Sequence, residues 1–172
     1  RGELPCESRS NESWTMDFVS DQLFDGRRVR SLTLIDSYTR ECIAIHVDKA
    51  IRGSDIAATL EKVKRARGVP ESIRVDNGPE FISKDLDLWA YQEGVQLQFS
   101  RPGKPTDNAM IESFNGSYRN ECLRRHWFLS FGDARSKIEN WRVECNEFRP
   151  HRSLRNKTAS EFFQERPLLT PA

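Results

Sequence analysis

Three acidic residues occupy settings in which a carboxylate could do chemistry. Asp17 lies inside the apolar stretch WTMDFV, Asp76 follows the short apolar stretch SIRV, and Glu112 lies in the stretch DNAMIESFNG. An acid within an apolar strand is costly to bury unless it is paired or binds a cation. Three carboxylates that meet suit Mg²⁺ or Mn²⁺, because these cations prefer oxygen ligands and retain water or phosphate oxygens. Two such ions about 3.5–4 Å apart can hold a phosphodiester for reaction.

Each acid also has an ordinary structural explanation when it is considered alone. Asp17 could form a salt bridge within its strand, and Asp76 could accept a backbone hydrogen bond just after Asn77 in an Asx turn. Glu112 could be a solvated helix residue. Asp36, in the stretch LIDSYTR, also follows an apolar run, and we interpret it as a turn residue. Only the convergence of Asp17, Asp76 and Glu112 favours a metal site over these alternatives.

The first third of the chain has the residue pattern of β-strands. Partial alternation and aromatic content predict strands, and Asp25-Gly26 is a strong hairpin signal between the first two. Short links between the strands favour an antiparallel meander. The three predicted strands span residues 14–23, 29–40 and 41–47.

Helical spacing begins after the third strand. Ser54 is expected to cap a helix that Gly68 ends, with apolar residues on one face. The chain then alternates between the two kinds of element. These predicted elements are a strand at 72–76, a helix at 80–94, a strand at 95–99, a loop at 100–109, a helix from 106 or 107 to about 124, a helix at 131–147, and a short helix opened by a capping box of Thr158 with Glu161.

This order of elements predicts an α/β fold. Three antiparallel strands followed by alternating helices and strands indicate a mixed sheet with parallel later strands and helices on both faces. Ligands of such sheets gather at the carboxyl ends of strands. Asp76 is expected there, beside the acid of a central first strand, and a helix crossing that edge can bring in Glu112.

The helix around Glu112 has two faces. Its polar stripe at helical spacing consists of Asn108, Glu112, Asn115 and Arg119. Its opposite face carries the apolar residues expected to pack on the sheet, which are Met110, Ile111 and Phe114.

Composition indicates a soluble, globular domain. The 172 residues suggest one domain, and ten Phe and four Trp can fill its core. No apolar run approaches the roughly 20 residues of a membrane helix, and no secretory segment opens the chain. Because residue 1 is Arg, the chain is interpreted as a fragment of a longer protein. The four cysteines lack zinc-site spacing and are expected to be idle free thiols in a reducing compartment: Cys6, Cys42, Cys122 and Cys145.

Positive charge gathers in the later part of the chain, although the formal net charge is only +1. Residues 101–157 hold 12 Lys and Arg against seven Asp and Glu, which gives +5. Residues 1–100 carry −3. This distribution favours contact with a polyanion, and a solvated helix surface is the alternative.

Several segments resemble the catalytic domain of bacterial insertion-sequence transposases, which are related to retroviral integrases. The segments WTMDFV, VDNGPEF and SRPGKPTDNAMIESFNGSYRNEC carry the resemblance, and the ending NEFRPHRSLRNKTASEF is similar to the tail of that family. The order Asp, Asp, Glu matches, as do the 35 residues between Asp76 and Glu112. The likeness covers residues 12–163, nearly the whole chain.

The resemblance implies a ribonuclease-H-like fold and nucleotidyl transfer on DNA with Mg²⁺ or Mn²⁺, and two ions are expected. Asp17, Asp76 and Glu112 would be the catalytic, metal-binding triad, and Arg119 would hold a DNA phosphate. Loop 100–107 would close over the DNA. Further expected DNA contacts are Asn115, Asn108, Lys104 and Arg101, followed by the basic residues Arg124, Arg125, Arg149, Arg152 and Arg155.

The resemblance also implies an organisation and a setting. Residues 1–13 form an extended lead-in, 14–163 the integrase-type catalytic core and 164–172 a tail. The expected partners are DNA, as element ends and target, and further copies of the chain, with no membrane and no small-molecule substrate. The expected location is the bacterial cytoplasm, at the nucleoid. Two alternatives stay open, which are a nuclease of the same fold and a non-catalytic DNA-binding fragment of a transposase.

Overall fold

A central β-sheet organises the protein, as seen in a computed structural model that describes residues 7–101, 108–148, 150–151, 157–159 and 161. All five predicted strands are present, and a two-residue pair follows near the end of the described chain. The strands are β1 Ser13–Gln22, β2 Arg28–Asp36, β3 Cys42–Asp48, β4 Ser72–Val75, β5 Gln96–Phe99, β6 Pro150–His151 and β7 Lys157–Thr158.

The large sheet has the strand order β3-β2-β1-β4-β5. β1 is antiparallel to β2 and parallel to β4, and β4 is parallel to β5. The sheet is therefore mixed, with the first strand in its centre, as the sequence predicts. The hairpin between β1 and β2 turns at Gly26, whose φ of 87° lies in the left-handed region that glycine adopts readily.

Helices cover both faces of the sheet. They are α1 Gly53–Arg67, α2 Lys84–Glu93, α3 Ala109–Glu121 and α4 Phe131–Phe148, with a 3₁₀ turn at Leu123–Arg125. Alternation along β1 divides the core in two. Trp14 and Met16 pack with α1 and α2 on one face. Val19 packs with α3 and α4 on the other face, where Tyr118 and Phe128 are fully buried.

Three helix starts differ from the prediction, and that of α3 lies at Ala109 instead of residue 106 or 107. α1 begins at Gly53 rather than behind a Ser54 cap, and the Asp55 carboxylate accepts the Arg52 N–H at 2.7 Å. A side chain at Gly53 would collide with Ser83, which caps α2, so the close approach of the two helices decides this start.

The second helix start is later than expected. Glu80 and Phe81 lie in a turn, in which Phe81 N–H donates to Gly78 O at 3.0 Å. α2 begins one turn later, where the Ser83 hydroxyl accepts from Leu86 N–H at 3.1 Å. The serine offers a better N-cap than Pro79-Glu80, because its oxygen satisfies a free backbone donor of the first turn.

Asp36 is a turn residue, as the sequence predicts, and it is also part of a buried ion pair. Its Oδ1 accepts from Tyr38 N–H and Thr39 N–H at 2.8 and 3.0 Å, which ends β2 four residues earlier than expected. Its Oδ2 accepts from Arg67 at 2.8 Å and from Asn11 N–H at 2.9 Å. These contacts attach the chain before β1 and the end of α1 to one corner of the sheet.

Two further predictions, the capping box and the free cysteines, are confirmed in the part of the chain that the structure describes. The capping box is present, since Thr158 N–H donates to Glu161 at 2.9 Å and Glu161 N–H donates to Thr158 at 3.2 Å. Cys42, Cys122 and Cys145 are buried free thiols. Burial raises the pKa of Cys145 to about 11 and that of Cys122 to about 12, so both thiols stay protonated at neutral pH.

No helix in the described ranges is both long and apolar enough to cross a membrane. Cys6, most of the loop 100–107 and the tail 164–172 lie outside the described residues. The division at residues 13 and 163 stays a prediction.

Candidate active site

The strand register brings Asp17 and Asp76 together. β4 pairs with β1 only along Ser13, Thr15 and the residue between them, so the parallel ladder stops two residues before Asp17. Asp76 directly follows Val75, the last residue of β4. The end of one strand therefore lies beside the middle of its neighbour, and the charge of Asp76 acts on Asp17.

The environment of Asp17 disfavours its negative charge. Burial raises the pKa of the Asp17 carboxyl above its ordinary value, and the charge of Asp76 raises it further. The hydrogen bond from Phe18 N–H and the charge of Arg119 act in the opposite direction without cancelling the rise. A divalent cation would compensate both the lost hydration and the like charge, so this carboxylate pair fits a hard cation.

Asn115 holds the Asp17 carboxylate from the helix side. Its amide Nδ2 donates to Asp17 Oδ2 at 3.0 Å, while Phe18 N–H donates to Asp17 Oδ1 at 2.8 Å. Thr33, the β2 residue opposite Asp17, donates its hydroxyl to Asn115 Oδ1 at 3.0 Å. That contact orients the amide, because its oxygen faces the threonine and its NH₂ group faces the acid.

Asn115 thus differs from its expected role. The resemblance implies a DNA contact, but the side chain is only 1% exposed and both ends of the amide bind within the protein. Helical spacing placed Asn115 on a polar stripe, but Asn115 is buried whereas Glu112 and Arg119 of that stripe are exposed. The expected DNA contact is corrected to a contact that positions Asp17.

Asp76 does form the Asx turn that the sequence allowed. Its Oδ1 accepts from Gly78 N–H at 2.7 Å. A Cβ atom at Gly78 would lie 2.8 Å from that oxygen, so glycine leaves space for the carboxylate. The turn fixes one oxygen of Asp76 and does not compete with a metal role, because the other oxygen keeps its acceptor capacity.

Glu112 lies on α3, the helix that contacts Asp17 through Asn115. It is in the first turn of α3, three residues before Asn115, and its side chain is exposed. Among the residues that the structure describes, no three acidic, histidine or cysteine side chains are close enough to hold one metal ion. The charge of Asp76 acts on Asp17, and the metal role of all three residues, Asp17, Asp76 and Glu112, stays a prediction.

The expected DNA contacts differ in how exposed they are. Arg119 is exposed one turn after Asn115, and its charge acts on Asp17. Asn108 is half-buried and accepts from the Ser100 hydroxyl at 2.8 Å, and Arg101 is exposed. Arg124 and Arg125 are exposed in the 3₁₀ turn. The other expected contacts lie outside the described residues: Lys104, Arg149, Arg152 and Arg155.

Two features of the site were not predicted from the sequence: the hydrogen bond from Thr33 to Asn115, and the burial of the Asn115 side chain. A signal for Thr33 exists in the stretch RSLTLID, where Ser31 and Thr33 alternate with leucines. This alternation predicts hydroxyls on one face of β2. Both hydroxyls bind α3 side chains, since Ser31 contacts the Tyr118 hydroxyl at 2.8 Å.

With this geometry established, comparison with known proteins identifies the family. The family described as Integrase core domain matches residues 7–105, more than half of the chain. The chain belongs to this family. A second family with the same description matches residues 93–158.

Relatives of this integrase core domain are proteins of bacterial insertion elements. An uncharacterized protein of insertion element IS407 from Burkholderia multivorans is 48% identical over 162 residues, which is 94% of this chain and 58% of that protein. An uncharacterized protein of IS476 from Xanthomonas euvesicatoria is 43% identical over 94% of this chain and 47% of its own length. The chain thus spans about half the length of these relatives.

Solved structures share the fold. A simian T-cell lymphotropic virus intasome, in complex with PP2A regulatory subunit B56 gamma, matches with a TM-score of 0.81 at 18% identity over 99% of this chain and 60% of that chain. The HTLV-2 integrase catalytic core domain, in complex with magnesium, matches with a TM-score of 0.67 at 17% identity over 90% of this chain and 97% of that chain. The fold is therefore the ribonuclease-H-like fold of retroviral integrase catalytic cores, as the resemblance implies.

Proposed function

We propose that this chain is the catalytic part of an insertion-sequence transposase, a metal-dependent polynucleotidyl transferase that cleaves and joins DNA strands. One observation carries the proposal. In an integrase core domain, Asp76 follows β4 and its charge acts on Asp17, and α3 holds the Asp17 carboxylate through Asn115. Such a pair has little structural purpose, because it places two like charges together where one is partly desolvated.

Asp17 and Asp76 are proposed to hold Mg²⁺ or Mn²⁺, with Glu112 as the third ligand and two ions in all. Glu112 is included because it precedes Asn115 by about one helical turn, on the helix that already contacts Asp17. When bound, such ions supply positive charge that activates the attacking oxygen and stabilises the leaving oxygen of a phosphodiester. The magnesium complex of the HTLV-2 core domain supports this choice of cation.

The proposed reaction has two steps at one site. Water first cleaves a strand at the element end and leaves a 3′ hydroxyl, which then attacks a phosphodiester of the target DNA. In both steps the carboxylates keep their position and need not transfer protons themselves. Asn115 and Phe18 N–H fix the rotation of the Asp17 carboxylate, and Arg119 binds a DNA phosphate beside it.

DNA and further copies of the chain are the proposed partners. Exposed arginines at positions 119, 124 and 125 support contact with the phosphate backbone. One structural neighbour is an intasome and another was solved in a trimeric form, which supports an assembly of several subunits. The proposed site of action is bacterial DNA, and therefore the cytoplasm and nucleoid.

The test combines metal binding with strand chemistry. Mn²⁺ binding is measured by calorimetry for the wild type and for Asp17→Asn, Asp76→Asn and Glu112→Gln. Cleavage and joining are followed with oligonucleotides that carry the ends of the encoding element and a plasmid target. Glu144→Gln serves as the control, because Glu144 is an exposed acid on α4. The three site variants are expected to lose both activities and the control to keep them.

The exposed position of Glu112 favours one alternative, a non-catalytic DNA-binding fragment. Under that alternative, the wild type binds DNA but not Mn²⁺, and no strand is cut. Cleavage without joining would instead identify a nuclease of the same fold. Full activity of Glu112→Gln would refute the role proposed for that residue and leave the aspartate pair to be judged by its own variants.

A further inference from the structure

An ion pair connects β2 to the turn that carries Asp76. Arg30 Nη1 donates to Glu80 Oε1 at 2.6 Å, and the two side chains are only 16% and 24% exposed. Arg30 lies in β2 opposite Ser20, and Glu80 lies four residues after Asp76. The contact therefore fixes the β4–α2 turn to the strands on the other side of the site.

The Glu80 end of this pair lies beside Gly78, in the turn that carries Asp76. Both carboxylates surround Gly78: a Cβ at that position would lie 2.8 Å from Asp76 Oδ1 and 3.4 Å from Glu80 Oε2. Two carboxylates beside one glycine repel unless a cation compensates one of them. Arg30 compensates Glu80 through the other carboxylate oxygen, and this hydrogen bond lowers the pKa of Glu80.

The Arg30 end of the pair contacts Phe18, the residue after Asp17. The Arg30 guanidinium lies 4.3 Å from the centre of the Phe18 ring, a cation–π contact. The Phe18 ring also packs on Phe81, with ring centres 4.9 Å apart. Phe18 N–H in turn donates to Asp17 Oδ1 at 2.8 Å. A set of contacts thus runs from Glu80, in the turn that carries Asp76, through Arg30 and Phe18 to Asp17.

We propose that Arg30 and Glu80 are positioning residues that hold Asp17 and Asp76 at the separation needed to share a divalent cation. The inference rests on the proposed function, because it assumes that the two aspartates bind the cation. Glu80 does not contact the reaction itself. Both residues act through their ion pair, which joins the turn at Gly78 to Phe18.

The chain offers a matched control for this ion pair. Lys64 Nζ and Glu93 Oε1 are also 2.6 Å apart, and the Glu93 side chain is 22% exposed, close to the value for Glu80. This second pair joins α1 to α2, outside the contacts that surround the aspartates. Glu93→Gln therefore removes a comparable ion pair without touching the site.

The experiment measures Mn²⁺ affinity by calorimetry and the unfolding temperature for Glu80→Gln, Arg30→Gln, their double variant and Glu93→Gln. Residues that orient metal ligands typically contribute about 10- to 100-fold to metal affinity. We expect Glu80→Gln to weaken Mn²⁺ binding by about 10-fold or more. Glu93→Gln is expected to lower the unfolding temperature to a similar extent and to keep wild-type affinity. The double variant is expected to bind no worse than Glu80→Gln, since either change already breaks the pair.

Wild-type Mn²⁺ affinity in folded Glu80→Gln would overturn the proposal, as would additive losses in the double variant. If Glu80→Gln does not fold, Arg30→Lys gives the decision, because it keeps the charge and alters the donor geometry. Arg30→Lys is expected to weaken binding, and unchanged binding overturns the proposal. Asp76→Asn separates the two hypotheses. If Asp76→Asn leaves the Mn²⁺ affinity unchanged, the proposed function is wrong. If Asp76→Asn lowers the affinity and Glu80→Gln does not, only the positioning role of Arg30 and Glu80 is wrong.

Discussion

At the scale of single residues, Asp17 is held rigidly in an environment that opposes its charge. Two donors fix its oxygens, while burial and Asp76 raise the pKa of its carboxyl. Preorganised ligands of this kind bind cations well because little rearrangement is needed on binding. The same arrangement lowers the stability of the protein without a cation, so stability and the proposed activity oppose each other at this position.

The first prediction concerns Asn115. Asn115→Ala removes the amide that donates to Asp17 and leaves the Thr33 hydroxyl without its side-chain acceptor. Loss of buried hydrogen-bond partners typically costs about 1–3 kcal/mol of unfolding free energy. We expect that loss in urea unfolding, together with weaker Mn²⁺ binding. Asn140→Ala, at an exposed asparagine of α4, is the control and is expected to change neither quantity. Equal behaviour of the two variants would contradict the orienting role.

The second prediction concerns pH. Because folding raises the pKa of Asp17 above its ordinary value of 3.8, the folded protein keeps a proton on Asp17 at pH values where the unfolded chain has already lost it. The unfolding free energy contributed by Asp17 therefore falls as pH rises from that ordinary value through the raised folded value, and it stays low at neutral pH. Asp76→Asn removes one cause of the rise and can keep the hydrogen bond to Gly78 N–H.

Asp76→Asn is consequently expected to be more stable than the wild type at pH 7 without metal, by an amount on the order of 1 kcal/mol or less. The gain should shrink as the pH falls through the raised pKa of Asp17, because a protonated Asp17 carboxyl no longer repels Asp76. Urea unfolding at several pH values in the presence of a chelator measures the difference. A wild type that is the more stable protein at pH 7 would argue against repulsion between the two aspartates.

At the scale of elements, side chains of α4 bond to the backbone of β3, which is an edge strand of the large sheet. The Asn146 amide pairs with the backbone of Cys42 as a neighbouring strand would, accepting from its N–H at 2.8 Å and donating to its C=O at 2.9 Å. Arg142 also donates to Cys42 O at 2.8 Å, and Arg135 donates to Val47 O at 3.0 Å. An exposed strand edge otherwise invites pairing with other chains.

The third prediction tests this edge. Asn146→Ala leaves the buried Cys42 N–H without a partner, whereas Arg142 still satisfies the carbonyl. We expect a loss of about 1–3 kcal/mol in unfolding free energy and greater aggregation during refolding. Glu147→Ala changes an exposed residue of the same helix and serves as the control. An Asn146→Ala protein as stable as that control would show that solvent replaces the amide.

Element order could be predicted from sequence, but contacts between elements could not. Strand patterns and the Asp25-Gly26 turn are local signals, so the meander and the central position of β1 were predictable. The start of α1 was not, because it depends on the space that Ser83 leaves beside Gly53. Asn115 shows the same limit at the site: helical spacing placed it on a polar stripe, and only Thr33 and Asp17 across the interface explain its burial.

At the scale of the whole molecule, the sheet separates two pairs of helices. α1 and α2 cover one face, whereas α3 and α4 cover the other, and α3 contacts Asp17 through Asn115. Arg119 and the 3₁₀ turn with Arg124 and Arg125 follow the aspartate pair along that second face. A polyanion lying across the acids is therefore expected to follow α3 rather than the α1 side.

The fourth prediction uses salt to locate that contact. Each phosphate contact contributes about −0.9 to the slope of log binding constant against log salt concentration for duplex DNA. Arg119→Ala is expected to weaken DNA binding at low salt and to reduce the magnitude of the slope by about 1. Arg65→Ala removes an exposed arginine of α1 on the opposite face and is expected to leave the slope unchanged. Fluorescence anisotropy over a series of KCl concentrations measures both slopes. If Arg65→Ala reduces the slope while Arg119→Ala does not, DNA binds the α1 face, and the acids at the end of β4 are too far from the backbone to act on it.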